Sequence, residues 1–333
     1  MQIKEEDKYE TGGVAHYTTK TISQRLFFDK VKEKDKDGKE ITVKDKDGNE
    51  IPVPFQLNSV TNSNDLQEGK TLFNYLFDNQ KVPPQPEQYV AFVGCFTFNY
   101  DNLNQFRLYG KEGGTKEGTG ISIVMNSNFY RLVGKSPVQK KDRQTSQDDI
   151  REHLFRCIYF DPDTSQVVSV GHRDFHTFYK TKEVLYNREN REAHIKEITK
   201  DIARYKKVID KKVNDVRKYL EELKKEISEV RKQKIDEDLL YKLLSILRYL
   251  VKHVAFKEEQ ECRIVKMINS SNKDYTPIDE NHERFYVNYL PLTNCVSKIY
   301  FGPKATGMEL FQSLLTYHGF EEVTCHRSTS PLA

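Results

Sequence analysis

The chain has 333 residues, of which 37% are hydrophobic and 31% are charged. Its length allows two ordinary domains or one large domain with an insertion, and its mean hydropathy of -0.75 indicates that part of it is rich in solvent-exposed residues. The net charge of only +3 gives no global electrostatic argument for a nucleic-acid-binding protein.

The five cysteines are scattered and form no CxxC or Cys/His cluster. This spacing favours reduced thiols over a disulfide framework or a zinc site, so we predict no metal site. The N-terminus lacks an apolar signal core, and no apolar run approaches the length of a membrane span. We therefore expect a protein without membrane contact that acts in the cytoplasm, either bacterial or, for a secreted effector, that of a host.

The N-terminal part predicts a short strand over Val14–Thr19 and an amphipathic helix over Ile22–Lys30. A near-repeat follows, at Asp35–Ile41 and Asp45–Ile51, and each copy contains Asp-Gly between extended arms. Asp-Gly favours a tight turn, so we predict a polar β-hairpin excursion over residues 32–54. The DKDG sequences match the opening of a calcium loop, but its remaining ligands are missing.

The next segments alternate between breakers and apolar runs. Asn64–Glu68 predicts a capping box in front of a helix over Thr71–Phe77. Tyr89–Phe98 is apolar and rich in β-branched and aromatic residues, as expected for a buried strand. Gln105–Gly110 leads into a glycine-rich loop, after which Ile121–Val124 resumes as a strand.

A polar loop over residues 134–149 precedes a predicted strand pair, Cys157–Phe160 and Val167–Val170. Near the C-terminus the pattern predicts further strands and one helix. The strands cover Phe285–Tyr289, Val296–Pro303 and Glu322–Cys325, and the helix covers Met308–Tyr317.

Residues 189–230 predict one long helix, because apolar residues recur at alternating three- and four-residue steps with one extra four-residue step. Such a narrow apolar stripe on a charged helix needs a partner. The apolar helix predicted over Asp236–Val254 is our preferred partner, in a helical hairpin whose facing residues are Ile195, Ile202 and Ile209 against Leu240, Leu244 and Leu247. Dimerisation through the same stripe is the alternative.

The stretch Phe256–Val265 carries the densest charge pattern beside apolar residues. As a strand it places Glu259, Glu261 and Arg263 on one face, because residues two apart share a face. As a helix end it makes Glu259 and Arg263 an ordinary surface ion pair. The local pattern leaves both interpretations open.

The order of several short motifs resembles a bacterial domain-of-unknown-function family that we associate with the ADP-ribosyltransferase superfamily. The resemblance covers most of the chain outside the predicted hairpin and the DKDG excursion. The motifs are His16-Tyr-Thr18, Asn64-Asp-x-x-Glu68, Cys95-Phe-Thr97, Phe106-x-x-Tyr-Gly110, Phe256-Lys-x-Glu-x-Glu-x-Arg263, Gly302-Pro-Lys304 and Ser328-x-x-Pro331.

The resemblance implies an α+β fold with a split, two-sheet NAD-binding core over residues 1–182 and 252–333, interrupted by the helical hairpin at 183–251. It assigns Glu261 as the catalytic glutamate and Glu259 as the residue that orients the acceptor in arginine-modifying members. His16 on the first strand, with Tyr17 and Thr18 beside it, matches the position that holds the adenosine ribose or a phosphate. Thr97 matches the hydroxyl that supports the catalytic acid.

The chemistry of NAD cleavage needs further groups beside those glutamates. An aromatic wall is required for nicotinamide, for which Tyr17, Phe106 and Tyr109 are candidates, and Arg263 would help to keep Glu261 ionised. The predicted activity is therefore transfer of ADP-ribose from NAD to a protein or nucleic acid by a toxin, an effector or a phage-defence enzyme. The alternative is a non-catalytic module with a degenerate NAD-binding fold that presents its helical hairpin to a protein partner.

Overall fold

A computed structural model describes residues 13–60, 69–78, 89–133, 153–183, 191–233, 237–269, 278–279 and 284–330. The described residues form eight α-helices and fifteen β-strands in several sheets, which confirms the α+β class. The helices are α1 Lys20–Phe28, α2 Thr71–Leu76, α3 Leu103–Leu108, α4 Ser127–Val133, α5 Phe175–Glu183, α6 Arg191–Lys232, α7 Glu237–Arg248 and α8 Met308–Tyr317. The strands are β1 Ala15–Thr18, β2 Lys32–Lys34, β3 Glu40–Thr42, β4 Gln56–Ser59, β5 Tyr89–Thr97, β6 Ile121–Met125, β7 Leu154–Arg156, β8 Ile158–Asp161, β9 Gln166–Val170, β10 Val251–His253, β11 Glu261–Asn269, β12 Ile278–Asp279, β13 Arg284–Asn288, β14 Val296–Phe301 and β15 Thr324–Arg327.

The chain divides into two compact units by its internal contacts. The first unit contains the described residues within 58–99 and 152–286, and the second contains those within 11–57, 100–151 and 287–333. This division differs from the predicted one, which set residues 183–251 apart from a single core. Helices α6 and α7 belong to the same unit as β5 and β11, because α6 packs on β9 and α7 packs on β11.

Two sheets build the first unit. In one, β11 lies between β5 and β7 and is antiparallel to both, with Arg263 opposite Cys95 on β5 and Phe155 on β7. In the other, β8 lies between β9 and β10, and β10 is parallel to β8. The apolar, β-branched and aromatic residues of β5 and β11 suit these buried positions, as Phe96 and Ile264 show.

Helix α6 is a single helix of 42 residues, so it extends about 63 Å. Its buried side chains are spaced alternately by seven and four residues, at Ile198, Tyr205, Ile209, Val216, Leu220 and Ile227. An eleven-residue repeat keeps a stripe nearly parallel to the axis of a straight helix. The long helix predicted over residues 189–230 is therefore confirmed.

The predicted hairpin contacts between α6 and the following helix are wrong. Ile202 and Ile209 pack with Phe178 of α5, and Ile195 is exposed. The reason is length: α7 has only 12 residues and spans about 18 Å, so it cannot run back along the N-terminal half of α6.

Helix α7 instead shares a core with α2, the β10-β8-β9 sheet and the C-terminal part of α6. This core contains Leu240 and Leu244 of α7 together with Val216, Leu220 and Ile227 of α6. The helix predicted to reach Val254 ends at Arg248, and strand β10 follows it. The apolar stripe of α6 is thus covered within the chain.

The second unit is built around β6, which is antiparallel to both β1 and β14, with β15 parallel to β14. The DKDG repeats form the predicted polar turns, the first between β2 and β3. In each repeat the first aspartate, Asp35 or Asp45, accepts two backbone N–H groups of its own turn. These carboxylates therefore cap turns.

Some predicted features lie outside the described residues, among them the capping box at Asn64–Glu68 and the polar loop over residues 134–149. Within the described ranges, no helix combines the length and the apolar character needed to cross a bilayer.

Candidate active site

Glu259 and Glu261 flank a sharp change in backbone direction. A 3-10 helix, Val254–Glu259, ends at Gln260, whose φ of 46° and ψ of 50° are left-handed, and β11 begins at the next residue. Both sequence interpretations are corrected here. Glu259 ends the 3-10 helix and is not on the strand, whereas Arg263 is on the strand and binds Glu261 there.

The strained conformation at Gln260 is held by hydrogen bonds from its own groups. The left-handed region is unfavourable for a residue with a Cβ atom. The Gln260 side-chain oxygen accepts the His172 N–H at 2.9 Å, and its amide nitrogen donates to the Lys257 carbonyl at 2.8 Å. The Gln260 carbonyl also accepts the Phe98 N–H at 3.0 Å. These contacts fix the turn that brings the two glutamates toward one lysine.

The two glutamates, Lys252 and Arg263 form a buried ionic cluster with two charges of each sign. Arg263 binds Glu261 through two nitrogens, Nε to Oε1 at 2.7 Å and Nη2 to Oε2 at 3.2 Å. Lys252 Nζ donates to Glu261 Oε2 at 2.6 Å and also to the Glu259 carboxylate. All four residues are at most 9% exposed. A buried ion cluster is tolerated when its charges balance and its hydrogen bonds have good geometry, because these offset the cost of removing the charges from water.

Glu261 and Lys252 are both charged at neutral pH. Burial alone would raise the pKa of Glu261, but the charges of Arg263 and Lys252 lower that pKa well below its ordinary value. Burial would likewise lower the pKa of Lys252, but the charges of Glu261 and Glu259 together raise that pKa above its ordinary value. Glu261 is therefore a carboxylate, and Lys252 is an ammonium group.

Backbone contacts also fix the start of β11. The Glu261 N–H donates to the Tyr159 hydroxyl at 2.7 Å, and the Cys157 N–H donates to the Glu261 carbonyl at 3.0 Å. Gly171 packs so closely that a Cβ atom on it would lie 2.1 Å from the same carbonyl oxygen. The Tyr205 hydroxyl of α6 bonds both the N–H and the carbonyl of Arg173. The long helix thus anchors the loop beside the glutamates.

Thr97 lies opposite Glu261 in the β5–β11 register. Its hydroxyl donates to the Glu259 carbonyl at 2.7 Å and accepts the Asn99 N–H at 3.1 Å. The structure therefore brings Thr97 together with the glutamate pair. Its hydroxyl contacts the main chain of Glu259, whereas the prediction had it support the catalytic acid.

Cys95 is the member of this group that reaches solvent. It is an exposed residue, and its thiol donates a hydrogen bond to the Glu261 carboxylate. A carboxylate accepts about four hydrogen bonds. Two from Arg263, one from Lys252 and one from Cys95 fill these positions, and the thiol is the weakest of the donors. A ligand hydroxyl that displaced the thiol would reach Glu261 from this side.

We predict that Cys95 reacts slowly with alkylating reagents despite its exposure. Desolvation of the thiolate by the surrounding protein and the charge of Glu261 raise the pKa of Cys95 well above its usual value, and only the thiolate reacts. Iodoacetamide labelling followed by peptide mapping at pH 7.5 measures this rate. Glu261→Gln should accelerate it, whereas rapid labelling of the wild type would contradict the assigned contact.

Five predicted cofactor-binding residues lie in the second unit: His16, Tyr17, Thr18, Phe106 and Tyr109. Tyr17 and Phe106 belong to a core cluster, with their ring centroids 4.9 Å apart, and Phe106 is completely buried. Phe106 is therefore a core residue and offers no open face as an aromatic wall.

The other three residues of this set have different surroundings. The His16 ring meets the edge of Phe55 with centroids 4.9 Å apart, and Tyr109 is 37% exposed. Thr18 is buried, and its carbonyl approaches Gly110 so closely that a Cβ atom there would lie only 2.2 Å away. The glycine at 110 is needed for this approach and for its φ of 71°.

Sequence reasoning missed Lys252, Tyr159 and the contact made by Cys95. Lys252 lay inside a segment predicted as helix, and only the pairing of β10 with β8 aims it at the glutamates. Two polar residues stand between Val251 and Val254, so no alternation of apolar and polar residues identified this strand in the sequence. No protein-family model, curated protein or solved structure matches the chain.

Proposed function

We propose that the protein is a mono-ADP-ribosyltransferase that uses NAD as its substrate and Glu261 as its catalytic residue. The observation that carries this proposal is an ionised carboxylate, held by Arg263 and Lys252, with one weakly held hydrogen-bond position that the thiol of the exposed residue Cys95 occupies. The order of motifs that resembles the ADP-ribosyltransferase superfamily supports it as well. We place the activity in the cytosol, bacterial or host, as that of a toxin, an effector or a phage-defence enzyme.

The proposed reaction breaks the bond between C1′ of the ribose and the nicotinamide nitrogen. Both electrons of that bond go to the nitrogen, so nicotinamide leaves as a neutral molecule and the ribose becomes oxocarbenium-like. Glu261 accepts a hydrogen bond from the 2′-hydroxyl and stabilises the positive charge where it develops. A nucleophile of the acceptor then bonds to C1′ and loses its proton.

Glu259 is proposed to act on the acceptor. It shares Lys252 with Glu261 and is held within the same cluster by the Thr97 contact to its carbonyl. A nearby carboxylate would orient a cationic acceptor such as an arginine side chain. An acceptor on a protein or on a nucleic acid is compatible with this chemistry.

Transfer is tested by mixing the purified protein with cell lysate and NAD labelled in its ADP-ribose moiety. We expect mass spectrometry to find macromolecules carrying ADP-ribose, together with released nicotinamide. A different result would identify the protein as an NAD hydrolase. In that case nicotinamide is released equally fast without lysate, and no macromolecule is labelled when lysate is present. Because the transferred label marks the acceptor, the same experiment identifies it.

A second candidate function is a non-catalytic interaction module. Donors from the chain itself occupy all the hydrogen-bond positions of the Glu261 carboxylate. A purely structural ion cluster would show the same arrangement, and this favours the non-catalytic function. Leu239 and Leu243 of α7 lie one turn apart and are 51% and 73% exposed, so they offer an apolar contact to a protein partner. Absence of nicotinamide release in every lysate supports this function.

A further inference from the structure

An open cleft lies within the first unit, bounded by α2, the β8–β9 turn, α6 and β10. Its volume is about 410 Å³, within the range of about 300–1,000 Å³ that small-molecule sites occupy. Its lining includes the hydroxyl and amide groups of Thr71, Asn74 and Ser165 together with the side chains of Lys224 and His253. The cleft is distinct from the ionic cluster, because successive residues of a strand point to opposite faces. Lys252 of β10 enters the cluster, and His253 enters the cleft.

The hydrogen bond made by His253 determines which of its nitrogens can donate. Nδ1 accepts the Ala255 N–H at 3.1 Å, at the start of the 3-10 helix. The neutral ring therefore carries its proton on Nε2. His253 presents an N–H donor as a lining residue of the cleft.

Lys224 is the cation of the cleft and is held in place by two neighbours. Its Nζ lies 4.6 Å from the centroid of the Tyr75 ring and pairs with the Asp78 carboxylate. Asp78 is largely exposed, so this pair is weak, and an anion of higher charge can compete for the ammonium group. Phe160 packs against Tyr75 with centroids 4.9 Å apart, which gives the cleft an apolar floor.

We propose that this cleft binds a small sugar phosphate. Lys224 and the His253 Nε2–H donate to the phosphate, and Thr71, Asn74 and Ser165 bind sugar hydroxyls. A bare phosphate is too small to use this whole set of groups. The proposal is independent of the proposed transferase activity, since it concerns other side chains.

Isothermal titration of the full chain in a phosphate-free buffer, with ribose 5-phosphate, ribose and inorganic phosphate as probes, tests this assignment. We expect saturable binding with ribose 5-phosphate the tightest of the three. Lys224→Met should weaken it by at least about tenfold, because it removes a charge-assisted hydrogen bond. Lys225→Met, a neighbouring exposed lysine outside the cleft, should leave it unchanged within about twofold.

Two more variants should change the affinity for ribose 5-phosphate in opposite directions. Asp78→Asn should tighten ribose 5-phosphate binding, because it removes both the competitor for Lys224 and a repulsive charge. His253→Asn keeps an acceptor for the Ala255 N–H, but its shorter side chain cannot place a donor at the position of His253 Nε2, so it should weaken binding. The proposal is overturned by lack of saturable binding, by ribose or inorganic phosphate binding as tightly as ribose 5-phosphate, or by equal effects of the two lysine variants.

Discussion

Glu261→Gln is expected to lower the rate of nicotinamide release from NAD by about 100- to 1,000-fold. Glutamine keeps the shape of the side chain but removes the negative charge that stabilises the oxocarbenium-like ribose. Removal of one preorganised electrostatic group from an active site costs about 2.7–4 kcal/mol of transition-state stabilisation. The loss should appear in kcat more than in KM, because the charge acts on the transition state. Chromatographic quantification of nicotinamide over time measures both constants.

Glu258→Gln is the matched control for this variant. Glu258 lies in the same 3-10 helix but is exposed, so its neutralisation should change the rate by less than about twofold. Thermal unfolding of each protein shows whether the fold survives. A folded Glu261→Gln protein that releases nicotinamide at the wild-type rate would remove Glu261 from the mechanism.

Lys252→Met is expected to lower the free energy of unfolding by about 3–5 kcal/mol, the usual cost of removing one partner from a buried ion pair. The substitution leaves two buried carboxylates with a single cation, Arg263, near them. Urea unfolding at pH 7 measures the change. Glu259→Gln in the Lys252→Met background should restore part of the loss, because it removes the uncompensated negative charge.

The loss of stability should depend on pH. The folded-state pKa of Glu261 lies below the ordinary value of 4.5, so its stabilising contribution is complete above that pH and disappears as the pH falls. The folded-state pKa of Lys252 lies above 10.5, so its contribution disappears as the pH rises beyond that value. The difference between wild type and Lys252→Met should thus shrink from pH 7 to pH 3.

Lys257→Met provides the control for the charge change alone. Lys257 is an exposed lysine of the neighbouring 3-10 helix, so its loss should change the free energy of unfolding by less than about 1 kcal/mol. Equal effects of Lys252→Met and Lys257→Met would show that Lys252 contributes no more to stability than an exposed lysine.

Local sequence patterns correctly predicted the helices and turns whose conformation depends mainly on neighbouring residues. The predicted helix Met308–Tyr317 has the observed bounds of α8, and the spacing of apolar residues also predicted the long helix α6. Asp-Gly turns between extended arms also formed as predicted, because their conformation is set by two adjacent residues. In these places the local sequence is sufficient.

The candidate site could be predicted only in part, because its geometry depends on contacts distant in sequence. Apolar residues up to Val254 continued the helical pattern of α7, yet parallel pairing of Val251 with Ile158 makes this segment a strand. The left-handed Gln260 has no local signature, since glutamine is not a residue that favours this conformation. Its hydrogen bond with the His172 N–H, 88 positions away in the chain, is what holds it.

A crystal structure with a non-hydrolysable NAD analogue tests most directly whether Glu261 acts on the ribose. We expect a Glu261 carboxylate oxygen about 3 Å from the 2′-hydroxyl of the nicotinamide ribose, with that hydroxyl in the position that the Cys95 thiol occupies now. The Arg263 and Lys252 contacts should persist in that complex. An analogue bound away from Glu261, with the thiol contact intact, would contradict the proposed role.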